Sequence, residues 1–391
     1  MRPSTWCTRG ACGSTDGWKD GAEPSFERGT WWSWTGGGGW CRVEVRWLLL
    51  VRFRNHARRE VHFGGGLNVV VGPNGAGKTN LLEAVDLAIT GRSHRVRREA
   101  EVVQFGADWA VVRAAFLRGG REHRSEVRVE RTGLKHLRAD GVPTSRAGFL
   151  GRGVVVWSGP EDTQVVCGPA AHRRQVLDGL LCQLSPAYYD TLLRYHRVVR
   201  HRNRLLRAQA PATAVEVWDE QLAGLGARLV ERRAQLVQRL AGPAAVWAER
   251  LGCGALHLRY VAGCASEPEA VRQDLVRLRR EEYRRGQSLV GPHRDNLEMV
   301  LNGVDARTFA SRGQQRAVVL ALRLAEREVV REELGEDPVL LLDDVVADLD
   351  RQRTGSLLRA LEGGPQVVAT ATDRAMLPCD QVVPLGEGAC A

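Results

Sequence analysis

Gly72-Pro73-Asn74-Gly75-Ala76-Gly77-Lys78-Thr79 is the stretch on which the reading of the whole chain turns. An apolar run, Leu67 to Val71 broken by Asn68, leads into it, and Leu81, Leu82, Val85 and Ile89 follow at helical spacing. Strand, glycine-rich turn and helix form the setting that a G-x-x-x-x-G-K-[ST] phosphate loop requires. Glycines let backbone N–H groups close around phosphate oxygens, and the free donors and partial positive charge of the helix N-terminus add to the attraction. Lys78 can reach the outer phosphates, and the Thr79 hydroxyl is suited to ligate Mg²⁺. The chain has three lysines, Lys19, Lys78 and Lys135, among 56 lysines and arginines. One of the three stands where the motif needs a compact ammonium rather than a planar guanidinium. The stretch reads as a nucleotide site.

At 391 residues the chain has room for two domains, or for one with a large insertion. A hydrophobic content of 43% supports substantial cores, and a net charge of +10 suits a polyanionic partner, nucleic acid before membrane surface. No apolar run approaches the length of a membrane span, and the first residues lack the apolar core of a signal peptide. Nine cysteines without a C-x-x-C pair argue against zinc-ribbon spacing and favour reduced thiols in a cytoplasmic protein.

Residues 1–42 carry six of the 11 tryptophans, with glycine clusters and little periodicity. That pattern fits an irregular extension, or a true start near Val43, better than a base-stacking surface. Strands are expected from Val43 to Val51 and from Arg59 to Phe63, with Gly64-Gly65-Gly66 turning into the phosphate-loop strand. After the loop's helix, the basic turn Gly91 to Arg98 suits either phosphate or nucleic-acid contact or a solvated charge run. Residues 109–131 alternate as strands, and Gly153 to Trp157 reads as a short buried strand before Ser158-Gly159-Pro160-Glu161-Asp162. Helical signals then run from Pro169 to about Gly286, with Pro186 opening a helix after Ser185. Between Leu192 and Arg207, the residues Arg197, Arg200, Arg204 and Arg207 share one helical face. Tyr195, Val199 and Leu206 take the other. Six arginines, two histidines and no acid in 14 residues make this a candidate track for a phosphate backbone. Arg272 to Arg285, mixed with acids, reads as a solvated helix.

Two late segments add to the phosphate loop. Val339 to Leu342 is an apolar strand ending in Asp343 and Asp344. Lying beside the phosphate loop in a parallel sheet, it would bring Asp343 to the Mg²⁺ shell and Asp344 to the attacking water. Asp348 and Asp350 follow in a turn. Ser311-Arg312-Gly313-Gln314-Gln315-Arg316 precedes an amphipathic helix from Ala317 to about Leu334. It offers a hydroxyl and helix N-terminal donors as a second γ-phosphate clamp. This arrangement resembles the signature of ABC-type ATPases, which is presented in trans to a partner subunit's phosphate loop.

From about Val43 to Leu385 the sequence resembles the RecF family, bacterial DNA-repair ATPases related to SMC-type heads. The resemblance is carried by Phe53-Arg54-Asn55, Gly75 to Ala84, Gly91-Arg92-Ser93-His94-Arg95, Pro160-Glu161-Asp162, Arg173-Arg174 with Leu177-Asp178, and Arg202-Asn203 with Leu205-Leu206. Gly291-Pro292-His293-Arg294-Asp295, Ser311 to Arg316 and the acidic strand complete it. Asn296 departs from a usual Asp, Ala347-Asp348 from a usual Ser-Glu, and Gly159 is an extra or substituted residue. The resemblance implies an α/β fold, an ABC/SMC-type phosphate-loop ATPase head with an inserted, mostly α-helical arm. Residues 43–162 and 287–391 would form the head and 163–286 the arm. It implies ATP and Mg²⁺ as cofactors, with Gly72 to Thr79, Asn55, Ser311, Gly313 and Gln314 on the nucleotide and Thr79 and Asp343 on the metal. Lys78, Asp344 and Thr372 would be catalytic, Thr372 falling where transporter ATPases carry a switch histidine. It also implies slow hydrolysis, an ATP-dependent homodimer and binding to single-stranded, gapped or junction DNA. RecR and RecO would be partners in loading RecA, with roles in replication restart and SOS induction.

Two other readings share part of the pattern. A transporter ATPase subunit normally has its signature much nearer its phosphate loop, whereas more than half of this chain separates Gly72 from Ser311. A non-hydrolysing DNA-binding scaffold would need a broken site, and Lys78, Thr79, Asp343 and Asp344 are all intact. A long coiled-coil SMC protein fails on length.

Overall fold

A computed structural model of the chain describes residues 41–96, 98–345, 351–373 and 379–385. The expectations for residues 1–40, Arg97, Ala347, Asp348 and Asp350 therefore lie outside the described residues. Strands β1 (Cys41–Arg42), β2 (Glu44–Phe53), β3 (His56–His62) and β4 (Leu67–Val71) precede helix α1 (Lys78–Thr90). Then come β5 (Trp109–Arg118), β6 (Arg121–Glu130), β7 (Lys135–Ala139), β8 (Val142–Pro143), α2 (Arg146–Phe149), β9 (Val155–Ser158) and α3 (Thr163–Cys167). The middle of the chain supplies α4 (Ala170–Leu184), α5 (Pro186–Arg207), α6 (Ala212–Arg250), β10 (Leu256–Val261) and α7 (Pro268–Arg285). The remainder is β11 (Asn296–Leu301), β12 (Val304–Asp305), α8 (Ala306–Phe309), α9 (Arg312–Leu334), β13 (Glu336–Asp337), β14 (Val339–Leu342), α10 (Arg351–Leu361), β15 (Val367–Ala371) and β16 (Gln381–Pro384).

Five strands form a parallel sheet in the order β16-β4-β15-β14-β9. Both of its faces are covered, which is why β14 reads as an unbroken apolar run and β15 as one interrupted only by Thr370. Val70, Val155, Val339, Leu341, Val368 and Val383 pack on one side with α1 and the inner face of an antiparallel sheet, β3-β2-β5-β6-β7-β8. Val69, Val156, Leu340, Leu342, Val367 and Ala369 pack on the other side with the long helices. Helix α1 is thus enclosed between two sheets, and every residue from Leu81 to Thr90 is buried. Its end is marked by Gly91, left-handed at φ 69°, whose N–H donates to Leu87 O, a common glycine C-cap.

Several boundaries differ from the sequence expectation. Cys41 and Arg42 pair in parallel with Glu336 and Asp337, so strand pairing begins before Val43. Strand β3 starts at His56 because only Arg54 and Asn55 form the hairpin turn, Arg54 at φ 53°. The arm is mostly helical, and its one strand carries contacts across residue 286: β10 pairs along its length with β11, from Leu256↔Leu301 to Val261↔Asn296. The expected helix start after Ser185 is present, with the Ser185 side chain accepting from Tyr188 N. No helix among the described residues is long and apolar enough to cross a membrane.

The arm is pinned by two buried arginines. Arg202, on α5, is fully buried and donates to Asp219 of α6 at 2.6 Å, Glu282 of α7 at 2.5 Å and Ser288 at 2.9 Å. Arg233, on α6, donates to Asp178 of α4 at 2.8 and 2.9 Å, to Asp295 at 2.6 Å and to Pro292 O at 2.7 Å. Asp295 also accepts from Gly263 N at 2.7 Å and from Tyr260 OH. Asn296, where an Asp was expected, accepts from the buried Arg173 at 2.8 Å. A fork of five donors can satisfy several acceptors at once, which a lysine cannot do. Removing such a cation strands its acids. Arg202→Met should lower unfolding free energy by about 3–5 kcal/mol in urea titrations, and Glu282→Leu in the same chain should recover part of that loss. A cost under about 1 kcal/mol would mean that the pair does not hold the arm together.

Candidate functional site

The phosphate loop spans the carboxyl end of β4 and the first turn of α1. Gly77 is its N-cap at φ 95°, without a side-chain cap, and no acid lies in the first helical turn. The free N–H groups and positive helix end therefore face the loop uncompensated, the condition for binding an anion. Gly77 also has no room for a side chain: a Cβ would sit 2.5–2.7 Å from Asn55 and His56. The His56 Nε2 atom lies 3.2 Å from Gly77 O, and burial lowers the imidazole pKa below 6.5. The ring is therefore neutral at pH 7 and donates from Nε2 to that carbonyl. Asn55 Nδ2 donates to Gly75 O at 3.4 Å, and Asn55 Oδ1 accepts from Asn80 at 2.9 Å. Gly72 is buried where a Cβ would lie 2.2 Å from Leu385 O, so the residue beyond β16 backs the loop. Ala76 N donates to Pro73 O, while Pro73, Asn74 and Gly75 are exposed. Lys78 Nζ donates to Gly72 O at 2.7 Å and to Pro73 O at 3.1 Å, folded over the loop it would serve.

The acid strand does not lie beside β4. Strand β15 intervenes, pairing with β4 on one edge and β14 on the other. The loop still reaches the acid, because Thr79 Oγ1 donates to Asp343 Oδ1 at 3.0 Å. The same oxygen accepts from Thr370 Oγ1 of the intervening strand at 2.9 Å. The Thr370 hydroxyl in turn accepts from Asp344 N at 2.8 Å. One buried hydroxyl thus fixes both acids. Asp344 is exposed, with φ 54°, a left-handed conformation that aspartate tolerates better than most residues. Thr370 belongs to no motif, and the sequence points instead to Thr372 two residues on. The structure puts Thr372 exposed just past the end of β15. The only clue to Thr370 was its polarity within an apolar strand.

Helix α9 begins five residues earlier than expected, at Arg312 rather than Ala317, so the signature segment forms its first turn. Ser311 is its N-cap: Gln314 N donates to Ser311 Oγ at 3.3 Å, and Ser311 N donates to Gln314 Oε1 at 2.9 Å. Ser311, Arg312 and Gly313 are exposed. No described hydrogen bond joins Ser311, Gly313 or Gln314 to the phosphate loop of the same chain.

The basic turn after α1 is neither a solvated run nor an open phosphate contact. Ser93 is fully buried and donates to Glu83 Oε1 at 2.5 Å, and Arg95 donates to Glu83 at 3.0 Å and Asn80 at 3.3 Å. Arg54 holds the same carboxylate with two bonds, at 2.8 and 2.9 Å. Burial alone would raise the Glu83 pKa, but hydrogen bonds from Arg54 and Ser93 and the nearby guanidinium charges hold it below the usual range. His94 Nδ1 lies 2.7 Å from Asp86, and its ring packs 4.2 Å from that of Trp157. Among the described residues of this turn, Arg92 and Arg98 are left largely to solvent, with His94 marginally exposed. On α5, Arg197, Arg200, Arg204 and Arg207 are exposed as expected, whereas Arg202 is withdrawn into the arm.

An AAA domain family model matches residues 48–141. The chain is 42% identical over 339 residues to the DNA replication and repair protein RecF of Symbiobacterium thermophilum, covering 83% of this chain and 90% of that one. It is likewise 42% identical over 333 residues to the protein of that name from Deinococcus radiodurans, at 85% and 91% coverage. A solved structure described as the recombination mediator protein RecF-ATP in the RecFOR pathway superposes with a TM-score of 0.84 at 28% identity, covering 90% of this chain and 98% of that chain. An Smc head domain from Pyrococcus furiosus superposes at 0.53 and 15% identity, covering 88% and 94%, a likeness of fold alone.

Thr370→Val, nearly isosteric, should lower nucleotide hydrolysis about tenfold while changing nucleotide affinity less than about twofold. Unchanged turnover would remove Thr370 from the machinery that positions Asp343 and Asp344.

Proposed function

The chain belongs to the RecF family of DNA replication and repair proteins, and from that premise we propose that it is a DNA-binding ATPase switch that works as an ATP-induced homodimer. The observation that carries this reading is the convergence of Thr79 and Thr370 on Asp343 within one chain, while Ser311 and Gly313 face solvent. A site with its loop and acid assembled but its signature turned outward is half of a composite site. The second half would come from another copy, so that ATP joins two heads.

The donor set suits Mg²⁺: a threonine hydroxyl and an aspartate carboxylate, both hard oxygens, meet at 3.0 Å beside the loop. Thr79 and Asp343 would hold the ion, which when bound neutralises charge between the outer phosphates. Lys78 would leave the carbonyls of Gly72 and Pro73 for the phosphate oxygens, and the Gly75 to Thr79 backbone would donate to them. Asp344 would accept the proton of the attacking water or orient it, its backbone held by Thr370. Hydrolysis would be slow, stimulated by DNA, and would serve to release the dimer. Thr372 remains a candidate switch residue at the same sheet edge. Asn55 would lie against the nucleotide through its bond to Gly75 O.

The DNA partner would be single-stranded, gapped or junction DNA, contacted through the exposed arginine face of α5. The structural relative described as part of the RecFOR pathway supports RecO and RecR as partners, with RecA loading and SOS induction downstream. The transporter reading loses support from these relatives and from the arm inserted between loop and signature. A non-hydrolysing scaffold would not need Asp344 and Thr370 so arranged.

Lys78→Met should abolish ATP-dependent dimerisation in sedimentation runs; an undisturbed dimer would refute the phosphate-loop assignment. Asp344→Asn should instead accumulate the ATP-bound dimer, and normal turnover by that variant would reject the proposed base. Replacing Arg197, Arg200 and Arg204 together with alanine should weaken DNA binding and lower the slope of log affinity against log salt by about 2–3. Equal slopes for variant and parent would leave α5 as a solvated face.

A further inference from the structure

The segment that ends β9 and turns toward α3, Ser158 to Asp162, touches three parts of the machinery at once. Backward along the chain, Asp343 N donates to Ser158 O at 2.8 Å, and Gly159 N donates to Asp162 Oδ2 at 3.4 Å. Toward α1, Glu161 lies 4.0 Å from Arg95, which itself holds Glu83 and Asn80 of the phosphate-loop helix. Toward α9, Asp162 Oδ2 accepts from Arg323 at 3.1–3.2 Å. Arg323 also donates to both oxygens of Glu326, at 2.9 and 3.0 Å. The side chains of Arg323, Glu326 and Asp162 are 12%, 4% and 14% exposed, so the group is largely withdrawn from water.

Arg323 stands on the signature helix, about 18 Å along its axis from Ser311 at 1.5 Å per residue. The residues of α9 at 316, 319, 323 and 326 follow 3-4-3 spacing and form one stripe. Its first two members, Arg316 and Val319, line the cleft that Ser158, Gly159, Pro160, Asp343 and Asp344 also line. The stripe therefore runs from beside the metal-binding acid to the buried ion pair. A group with one cation and two carboxylates is poor ballast for stability, since burial opposes ionisation and pushes the Glu326 carboxyl up to about 7. Leucines would pack such a place at less cost. What a bidentate fork supplies that leucines do not is a fixed register between two elements.

We propose that Arg323 is a positioning residue whose ion pair with Asp162 locks the signature helix to the turn beside Asp343, so that nucleotide held by one subunit's phosphate loop sets how that subunit presents Ser311 to its partner. The two composite sites of a dimer are thereby coupled through each chain's own α9. This inference rests on the composite-site reading above.

The test compares the full-length parent with Arg323→Gln, Arg323→Lys and Asp162→Asn, following ATP turnover against ATP concentration and, separately, binding of a fluorescent ATP analogue. The parent should turn over with a Hill coefficient near 2, as two coupled sites allow. Arg323→Gln and Asp162→Asn should bind the analogue within about twofold of the parent, fall about tenfold in turnover and drop toward a Hill coefficient near 1. Arg323→Lys should recover part of the cooperativity. Asp162→Asn, confined to a turn and still able to accept a hydrogen bond, carries the test if Arg323→Gln fails to fold. Folded variants with the parent's Hill coefficient and rate would overturn the coupling and leave the composite site standing. Equal losses in analogue binding and turnover would also overturn it, by marking the pair as structural. A parent that binds the analogue but turns over without cooperativity would overturn the composite-site reading, and the coupling with it.

Discussion

A single carboxylate oxygen, Asp343 Oδ1, holds the two halves of the head in register. It accepts from Thr79 at the start of α1 and from Thr370 on the strand between loop and acid. Because β15 separates β4 from β14, no main-chain pairing joins the loop's strand to the acid's strand. The side-chain hydroxyls span that gap. A parallel sheet aligns the carboxyl ends of its strands, so loop, Thr370 and both acids emerge on the same edge. The apolar faces beneath keep that edge rigid: α1 is enclosed on one side, and α6 and α9 press on the other.

The arm obeys a different economy. Its helices are rich in arginine, and the informative ones are those that water does not reach. Arg202 and Arg233 each gather acids from several segments that hydrophobic packing alone would leave free to slide. The motifs through which the sequence resembles its relatives outside the nucleotide site fall on these hubs: Asp178, Arg202 and Asp295 are hub members, and Arg174 donates to Asp295 O at 2.7 Å. Gly91 to Arg95 behaves alike, closing on Glu83. What looks in sequence like basic surface for a polyanion is in part internal scaffolding.

Local signals were legible in the sequence and long-range pairing was not. The loop, its strand and helix, the acid strand and the Ser185 cap each depend on a handful of neighbouring residues, and each forms at its expected place in the chain. The exposed face of Arg197, Arg200, Arg204 and Arg207 also followed from helical period alone. Helical period sets Arg202 apart from these four, on the face of Tyr195, Val199 and Leu206, but the acids of α6 and α7 that let a cation lie there are long-range partners no local pattern reveals. The intervening strand β15 was invisible for the same reason: strand order is a matter of which distant runs meet. Asp343 carried its motif in the open, whereas Thr370 is one hydroxyl in an apolar strand, and its role appears only when the sheet is assembled.

The order of that sheet has a bearing on how the protein is made. Strand β4, which carries the loop, is bordered by β15 and β16, so that Val367 and Gln381 lie against Leu67 and Asn68. Leu385 closes over Gly72. On a ribosome, the early segment containing Lys78 emerges long before any of these neighbours exists, and a lone parallel strand has nothing to pair with. The loop must wait, as an apolar run without an edge, through synthesis of the entire arm. The nucleotide site is therefore among the last features of the molecule to form, although its defining residues are among the first to be translated.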